Sequence, residues 1–145
     1  MQLSTSQPLV SVIIPTFDRA SWLGEAIASV LAQTYPHLEL IVVDDGSHDA
    51  TPEVVQAFGQ ALTYIRQAHA GVSAARNRGV AVSRGALVAF LDSDDLWLPR
   101  KVAAQAALLQ QPQVVGVQKG DERATRCCHT AITGSADTGV GLPDI

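Results

Sequence analysis

Apolar residues gather in five short runs along the chain, and between the runs they recur at helical spacing. Leu9 to Ile14 is β-branched and closed by Pro15, which predicts a buried strand. Leu23, Ala26, Ile27, Val30 and Leu31 follow the helical period. This predicts a helix that starts near Asp18 to Ser21, either of which could cap it, and stops before Pro36. Leu38 to Val43 is a second strand that ends in the turn residues Asp44-Asp45-Gly46-Ser47. Thr51-Pro52-Glu53 opens a second helix with a capping hydroxyl, a proline at the first helical position and an acid in the first turn.

Leu62 to Ile65 reads as a third strand, and Gly71 to Ser83 as a helix with Gly85 as its C-cap. Ala86 to Leu91 is a fourth strand that runs into Asp92-Ser93-Asp94-Asp95. Pro99 to Gln111 reads as a helix and Val114 to Val117 as a fifth strand. Strands alternating with helices predict an α/β fold: a doubly wound, mostly parallel sheet with helices on both faces. Such sheets bind ligands beyond the carboxyl ends of their strands. Three polar clusters fall there, Thr16 to Arg19, Asp44 to Asp49 and Asp92 to Asp95. Residues 119 to 145 are polar, without a period, and read as an irregular tail, so the domain is expected to span 1–118.

Composition adds limits. At 145 residues, 47% hydrophobic and 17% charged, the chain is an ordinary single globular domain. A net charge of -4 argues against nucleic-acid binding, which needs a basic surface. The two cysteines, Cys127 and Cys128, are adjacent, so no disulfide framework is expected. His129 beside them has no second ligand cluster, which argues against zinc. The N-terminus has no signal-peptide pattern, and no apolar run approaches the ~20 residues of a membrane span. The expected location is cytoplasmic.

Neither GxGxxG nor GxxxxGK[ST] occurs, so phosphates would have to be held another way. The loop Asp92-Ser93-Asp94-Asp95 concentrates three carboxylates, whose mutual repulsion a Mg²⁺ or Mn²⁺ ion would relieve. A plain solvated loop, with Asp95 or a neighbour capping the next helix, is the competing reading. Asp44 and Asp45 are turn residues that could also accept hydrogen bonds from a ribose or a base. Phe17 is a rim residue or a base-stacking platform. Arg76, Asn77 and Arg78 are solvated helix residues or phosphate contacts. His48 and His69 read as surface residues.

Four stretches together resemble glycosyltransferase family 2 and its GT-A fold. They are VSVIIPTFDR (Val10 to Arg19), AIASVLAQTYPHLELIVVDDGSHDAT (Ala26 to Thr51), GVSAARNRGVAVSRGALVAFLDSDD (Gly71 to Asp95) and WLP (Trp97 to Pro99). The resemblance implies inverting, metal-dependent transfer of a sugar from a nucleotide diphosphate donor, with uridine the favoured base. It implies that Phe17 and the backbone of Pro15 and Thr16 flank the base, and that Asp45 contacts it with Asp44 nearby. Asp92-Ser93-Asp94 matches the DxD motif. Asp94 would be the direct ligand of Mn²⁺ or Mg²⁺, and Asp92 would face the ribose or a metal-bound water. Arg76 and Asn77 would face the donor pocket.

The sequence departs from the family after Val117. The general base and acceptor-binding subdomain have no counterpart, and the remaining acids, Asp121, Glu122, Asp137 and Asp144, lack a supporting context. The acceptor is therefore unknown, and a non-catalytic or truncated nucleotide-binding remnant stands as the alternative. Apolar surface left open would favour a homo-oligomer. A nucleotidyltransferase lacks its phosphate loop here. A phospho-receiver would need its acid pair after the first strand and a lysine such as Lys119 after the fifth.

Overall fold

The computed structural model describes residues 7–109. Its elements run β1 (Val10–Thr16), α1 (Ala20–Leu31), β2 (Leu38–Asp44), α2 (Thr51–Gln56), a 3-10 turn (Gly59–Ala61), β3 (Thr63–Arg66), α3 (Val72–Val82), β4 (Leu87–Phe90) and α4 (Lys101–Leu109). The four strands form one parallel sheet in the order β3-β2-β1-β4. The chain winds outward through β2 and β3, then crosses back to β4 beside β1. The sequence therefore predicted the α/β, doubly wound parallel fold correctly.

β1 is central and every one of its residues is buried. This explains its unbroken apolar run: both faces are covered, so no polar alternation is permitted. Val10, Val12 and Ile14 face a core with Leu23, Ala26 and Ile27 of α1 and Val102 and Ala106 of α4. Ile13 faces the other way, with Ile41, Val43 and Ala75, and α3 closes that side.

Element ends differ from expectation for local reasons. The N-terminus of α1 is capped by neither Asp18 nor Ser21; the amide of Ala20 donates to Asp49 Oδ2 at 2.9 Å. The Thr51 hydroxyl caps nothing and donates to Asp49 Oδ1 at 2.6 Å. Gly85 is not a C-cap: α3 ends at Val82 with Ser83 as its C-cap, and the Gly85 amide donates to Ser11 Oγ at 2.8 Å. α4 starts at Lys101 rather than Pro99, after a turn in which the Lys101 amide donates to the Leu98 carbonyl. The predicted strand Val114 to Val117, the tail 119–145 with Cys127, Cys128 and His129, and the acids Asp121, Glu122, Asp137 and Asp144 lie outside the described residues.

At the amino end of the sheet, Glu39 of β2 ties β1 to the loop before β4. Its Oε1 accepts from Ser11 Oγ and the Arg84 amide, and its Oε2 accepts from Arg84 Nε at 2.9 Å. Burial alone would raise its pKa, but these donors and the Arg84 charge outweigh burial and lower it. A lowered folded-state pKa means that the unfolded chain binds the proton more readily. The contribution is therefore present above the ordinary glutamate value of ~4.3 and lost as pH falls through the lower folded value. Glu39→Gln is expected to cost about 2 kcal/mol at pH 7, in line with hydrogen bonds to charged groups. It should also flatten the acid limb of stability. Urea unfolding at pH 7 and pH 3.5 checks both; an unchanged acid limb would rule out Glu39 as its source.

Candidate functional site

The loops after β1 and β2 are built as a reciprocal clasp. Asp18 takes φ 49°, a left-handed conformation that aspartate tolerates better than most residues. There its amide donates to Ser47 Oγ at 2.9 Å, while its Oδ1 accepts from the His48 amide at 2.6 Å and the Asp49 amide at 3.3 Å. Asp49 returns the connection by capping α1. The loop after β1 and the loop after β2 are thus held against one another.

The adjacent acids Asp44 and Asp45 have separate tasks. Asp44 closes β2 and is fully buried. Its Oδ1 accepts from the Ser47 amide at 2.8 Å, and its Oδ2 accepts from the Tyr64 hydroxyl at 2.6 Å. Burial and then this acceptor push the Tyr64 phenol well above its ordinary pKa. Asp44 therefore faces inward and braces the loop.

Asp45 receives Gln67 Nε2 at 2.7 Å and the amides of Ala70 at 3.0 Å and Gly71 at 2.8 Å. Burial would raise its pKa, yet these donors and His69 hold it below the usual carboxylate range. Gly71 has φ 95°, which a side chain would strain, and this lets the chain turn into α3 with its amide aimed at Asp45.

His69 Nδ1 lies 2.9 Å from Asp45 Oδ2 and 3.2 Å from the Asp45 carbonyl oxygen. Both neighbours are acceptors, so Nδ1 carries the hydrogen. The His69 ring stacks on Phe17 with centroids 4.2 Å apart and planes at 29°. His48 meets Phe17 edge-on at 5.9 Å. Sequence reading treated both histidines as plain surface residues and missed Gln67. The available signal was the rule already used for the other strands, because Arg66 and Gln67 stand at the carboxyl end of β3.

Across the sheet, Arg76 on α3 donates through Nη2 to Asp92 Oδ1 at 2.7 Å. Its Cζ lies 5.7 Å from the Phe90 ring centroid. Arg76 Nε and Thr16 Oγ1 are buried without a hydrogen-bond partner. Pro15 and Ser93 are buried, while Asn77, Arg78, Asp94 and Asp95 are exposed. Asp94 has neither a hydrogen bond nor an ion pair among the described residues. Asp92-Ser93-Asp94-Asp95 forms a turn closed by the Asp95 amide on the Asp92 carbonyl. Among the described residues, no three His, Cys, Asp or Glu side chains form a ready-made metal site. No helix among them is long and apolar enough to cross a membrane.

The register sets Thr16 beside Asp44 and Ile13 beside Phe90, so these loops share the carboxyl edge at the point where the winding reverses. Known proteins are similar to this chain. The uncharacterized glycosyltransferase RT0329 of Rickettsia typhi is 39% identical over 111 residues, which cover 77% of this chain and 35% of that protein. Mannosyltransferase PcManGT from Pyrobaculum calidifontis, solved with GDP-Man and Mn²⁺, is 34% identical with a TM-score of 0.69, over 76% of this chain and 34% of that one. S. aureus TarS 1-349 in complex with UDP is 29% identical with a TM-score of 0.66, over 70% of this chain and 32% of that one. The chain spans about a third of the length of each. The glycosyl transferase family 2 model matches residues 11–126, across β1, the Asp44-Asp45 turn, α3 and the Asp92 to Asp95 loop, and this chain belongs to that family.

Proposed function

We propose that residues 1–118 form the donor-binding domain of a glycosyltransferase that takes its sugar from a nucleotide diphosphate. The observation that carries this reading is the Arg76–Asp92 pair at the carboxyl edge, with the exposed and unpartnered Asp94 beside it. Mn²⁺ or Mg²⁺ suits such a donor set. These cations prefer oxygen, and Mg²⁺ typically takes one or two carboxylates and completes its shell with phosphate oxygens and water. Asp94 would hold the cation directly, with Asp92 beside it. When bound, the cation neutralises charge that develops on the leaving diphosphate.

The chain's own residues account for the rest of the donor site. Asp45, fixed by four donors, offers its carboxylate edge to a base or ribose. Thr16 Oγ1 lacks a hydrogen-bond partner beside it, and Pro15 supplies the floor. Arg76 keeps Asp92 oriented and brings positive charge towards the phosphates, with Asn77 and Ser93 along the same edge. Attack on the anomeric carbon from the face opposite the diphosphate would invert its configuration through an oxocarbenium-like transition state. An acceptor hydroxyl would need a carboxylate base. A donor-binding domain without transfer activity of its own is the second reading.

A thermal-shift titration with UDP, GDP, CDP and dTDP, each with and without Mn²⁺, tests the proposal. One nucleotide, only with Mn²⁺, should stabilise the fold by ~2.7 kcal/mol at a hundredfold excess over its dissociation constant. Uridine is the first candidate. No shift with any combination would refute the donor site. Transfer of a radiolabelled sugar from the matching donor would separate the enzyme from the binding-only reading.

A further inference from the structure

We propose that Gln33, just past the C-terminal end of α1, is a positioning residue for the Asp92 to Asp95 loop and sets the affinity for nucleotide and cation there. This role rests on the donor-site reading and deepens it. The loop is held at both ends. Before it, the Leu91 amide donates to the Ile13 carbonyl of β1 at 3.0 Å. After it, the Trp97 amide donates to Ser29 Oγ of α1 at 3.2 Å. Only Asp92 to Leu96 lie between these points, and the Asp95 amide closes their turn on the Asp92 carbonyl at 3.0 Å.

Gln33 secures the second of these ends. Its Nε2 donates to the Leu98 carbonyl at 2.8 Å and to the Ser29 carbonyl at 3.1 Å, and its Oε1 accepts from the Val102 amide at 3.0 Å. One carboxamide therefore joins α1, the segment after Asp95 and the first turn of α4, with its donor and acceptor both used. The Val102 amide is among those that a helix start leaves without an intrahelical partner, so Gln33 also caps α4. The neighbouring Thr34 adds its amide and hydroxyl to the Pro99 carbonyl at 2.8 and 3.2 Å. Trp97 is buried, with Lys101 Nζ 4.6 Å from its ring centroid, while Leu96 and Leu98 on either side are exposed. Polar contacts and one indole thus tie this segment down, rather than a continuous apolar face. Loss of Gln33 releases the Leu98 carbonyl and the start of α4, and lengthens the span over which the acids move. Groups that orient a metal ligand set its affinity without touching the ion.

Gln33→Met keeps the size of the side chain and removes all three bonds. Gln33→Glu keeps the acceptor for the Val102 amide, loses the donor to Leu98 and Ser29, and serves if the methionine variant does not fold. UDP and GDP are titrated calorimetrically in Mn²⁺ at a temperature where every variant is folded. The Gln33 variants should bind about tenfold more weakly, the lower end of the ~10–100-fold cost of losing a partner that orients a metal ligand. Glu39→Gln, which loses stability at the opposite edge of the sheet, should bind as the wild type does. In protein without ligand, amide exchange followed by NMR should be faster at Asp95 and Trp97 in the Gln33 variants than in the wild type or Glu39→Gln.

Wild-type affinity in the Gln33 variants, even with a lowered melting temperature, would overturn the proposal and leave Gln33 a support for the fold. Equal weakening in Glu39→Gln, or Asp95 exchange no faster than in the wild type, would overturn it too. In each of these cases, nucleotide binding that Asp94→Ala abolishes keeps the donor site standing. If no nucleotide binds the wild type, the donor-site reading fails and the proposal fails with it.

Discussion

Asp94→Ala should abolish Mn²⁺-dependent nucleotide stabilisation while leaving the unliganded protein as stable as the wild type. Asp94 is exposed and bonded to nothing in the described residues, so its carboxylate contributes no fold contact to lose. Surface substitutions of that kind stay within about 0.5 kcal/mol. As the proposed direct ligand of the cation, however, it would have no substitute. Loss of an outer partner of a metal site typically costs 10–100-fold in affinity. Loss of Asp94 should therefore cost at least about 100-fold, enough to remove the thermal shift at millimolar Mn²⁺.

Asp92→Ala should behave differently. It strands the Arg76 guanidinium, whose Nε already lacks a hydrogen-bond partner, so it should lower stability as well as binding. Thermal-shift curves for both variants, with and without the nucleotide and Mn²⁺, distinguish the two roles. A wild-type shift in Asp94→Ala would remove it from the metal site.

This contrast marks how far the sequence could be read. The strands β1 and β2 were legible because residues buried on both faces leave an unbroken apolar run. The acids at their ends were legible as a candidate site because parallel sheets bind ligands there. Which way each acid faces was not. Asp44 and Asp45 are chemically identical neighbours, and only tertiary contacts from Tyr64, Gln67 and Gly71 turn one inward and fix the other at the loop. The cap of α1 was hidden for the same reason, since it comes from Asp49 on another loop. His69 read as a plain surface residue because nothing in a linear pattern announces that its ring will stack on Phe17.

Glycine gives the sharpest case of position overriding residue type, and the same substitution should have opposite signs at two sites. Gly85→Ala is expected to destabilise the protein by about 3 kcal/mol or more. A Cβ at Gly85 would lie 2.5 Å from Ser11 Oγ and 2.7 Å from both the Leu9 carbonyl oxygen and the Ser11 amide nitrogen. Two of these are backbone atoms at the start of the central strand, so no rotamer change relieves the clash. Overpacking of this kind costs ~1–3 kcal/mol. Any shift also breaks the Gly85 amide bond to Ser11 Oγ and disturbs the Glu39 cluster, adding another ~1–3 kcal/mol. Against a typical total of ~5–15 kcal/mol, that leaves little margin. Gly24 lies inside α1, where a Cβ would meet only Val54 Cγ1 at an ordinary 3.6 Å. Gly24→Ala should therefore stabilise the fold by about 0.5–1 kcal/mol through helix propensity alone. Urea denaturation of the two variants beside the wild type measures both, and a Gly85→Ala midpoint at or above the wild-type value would contradict the close approach of this loop to β1.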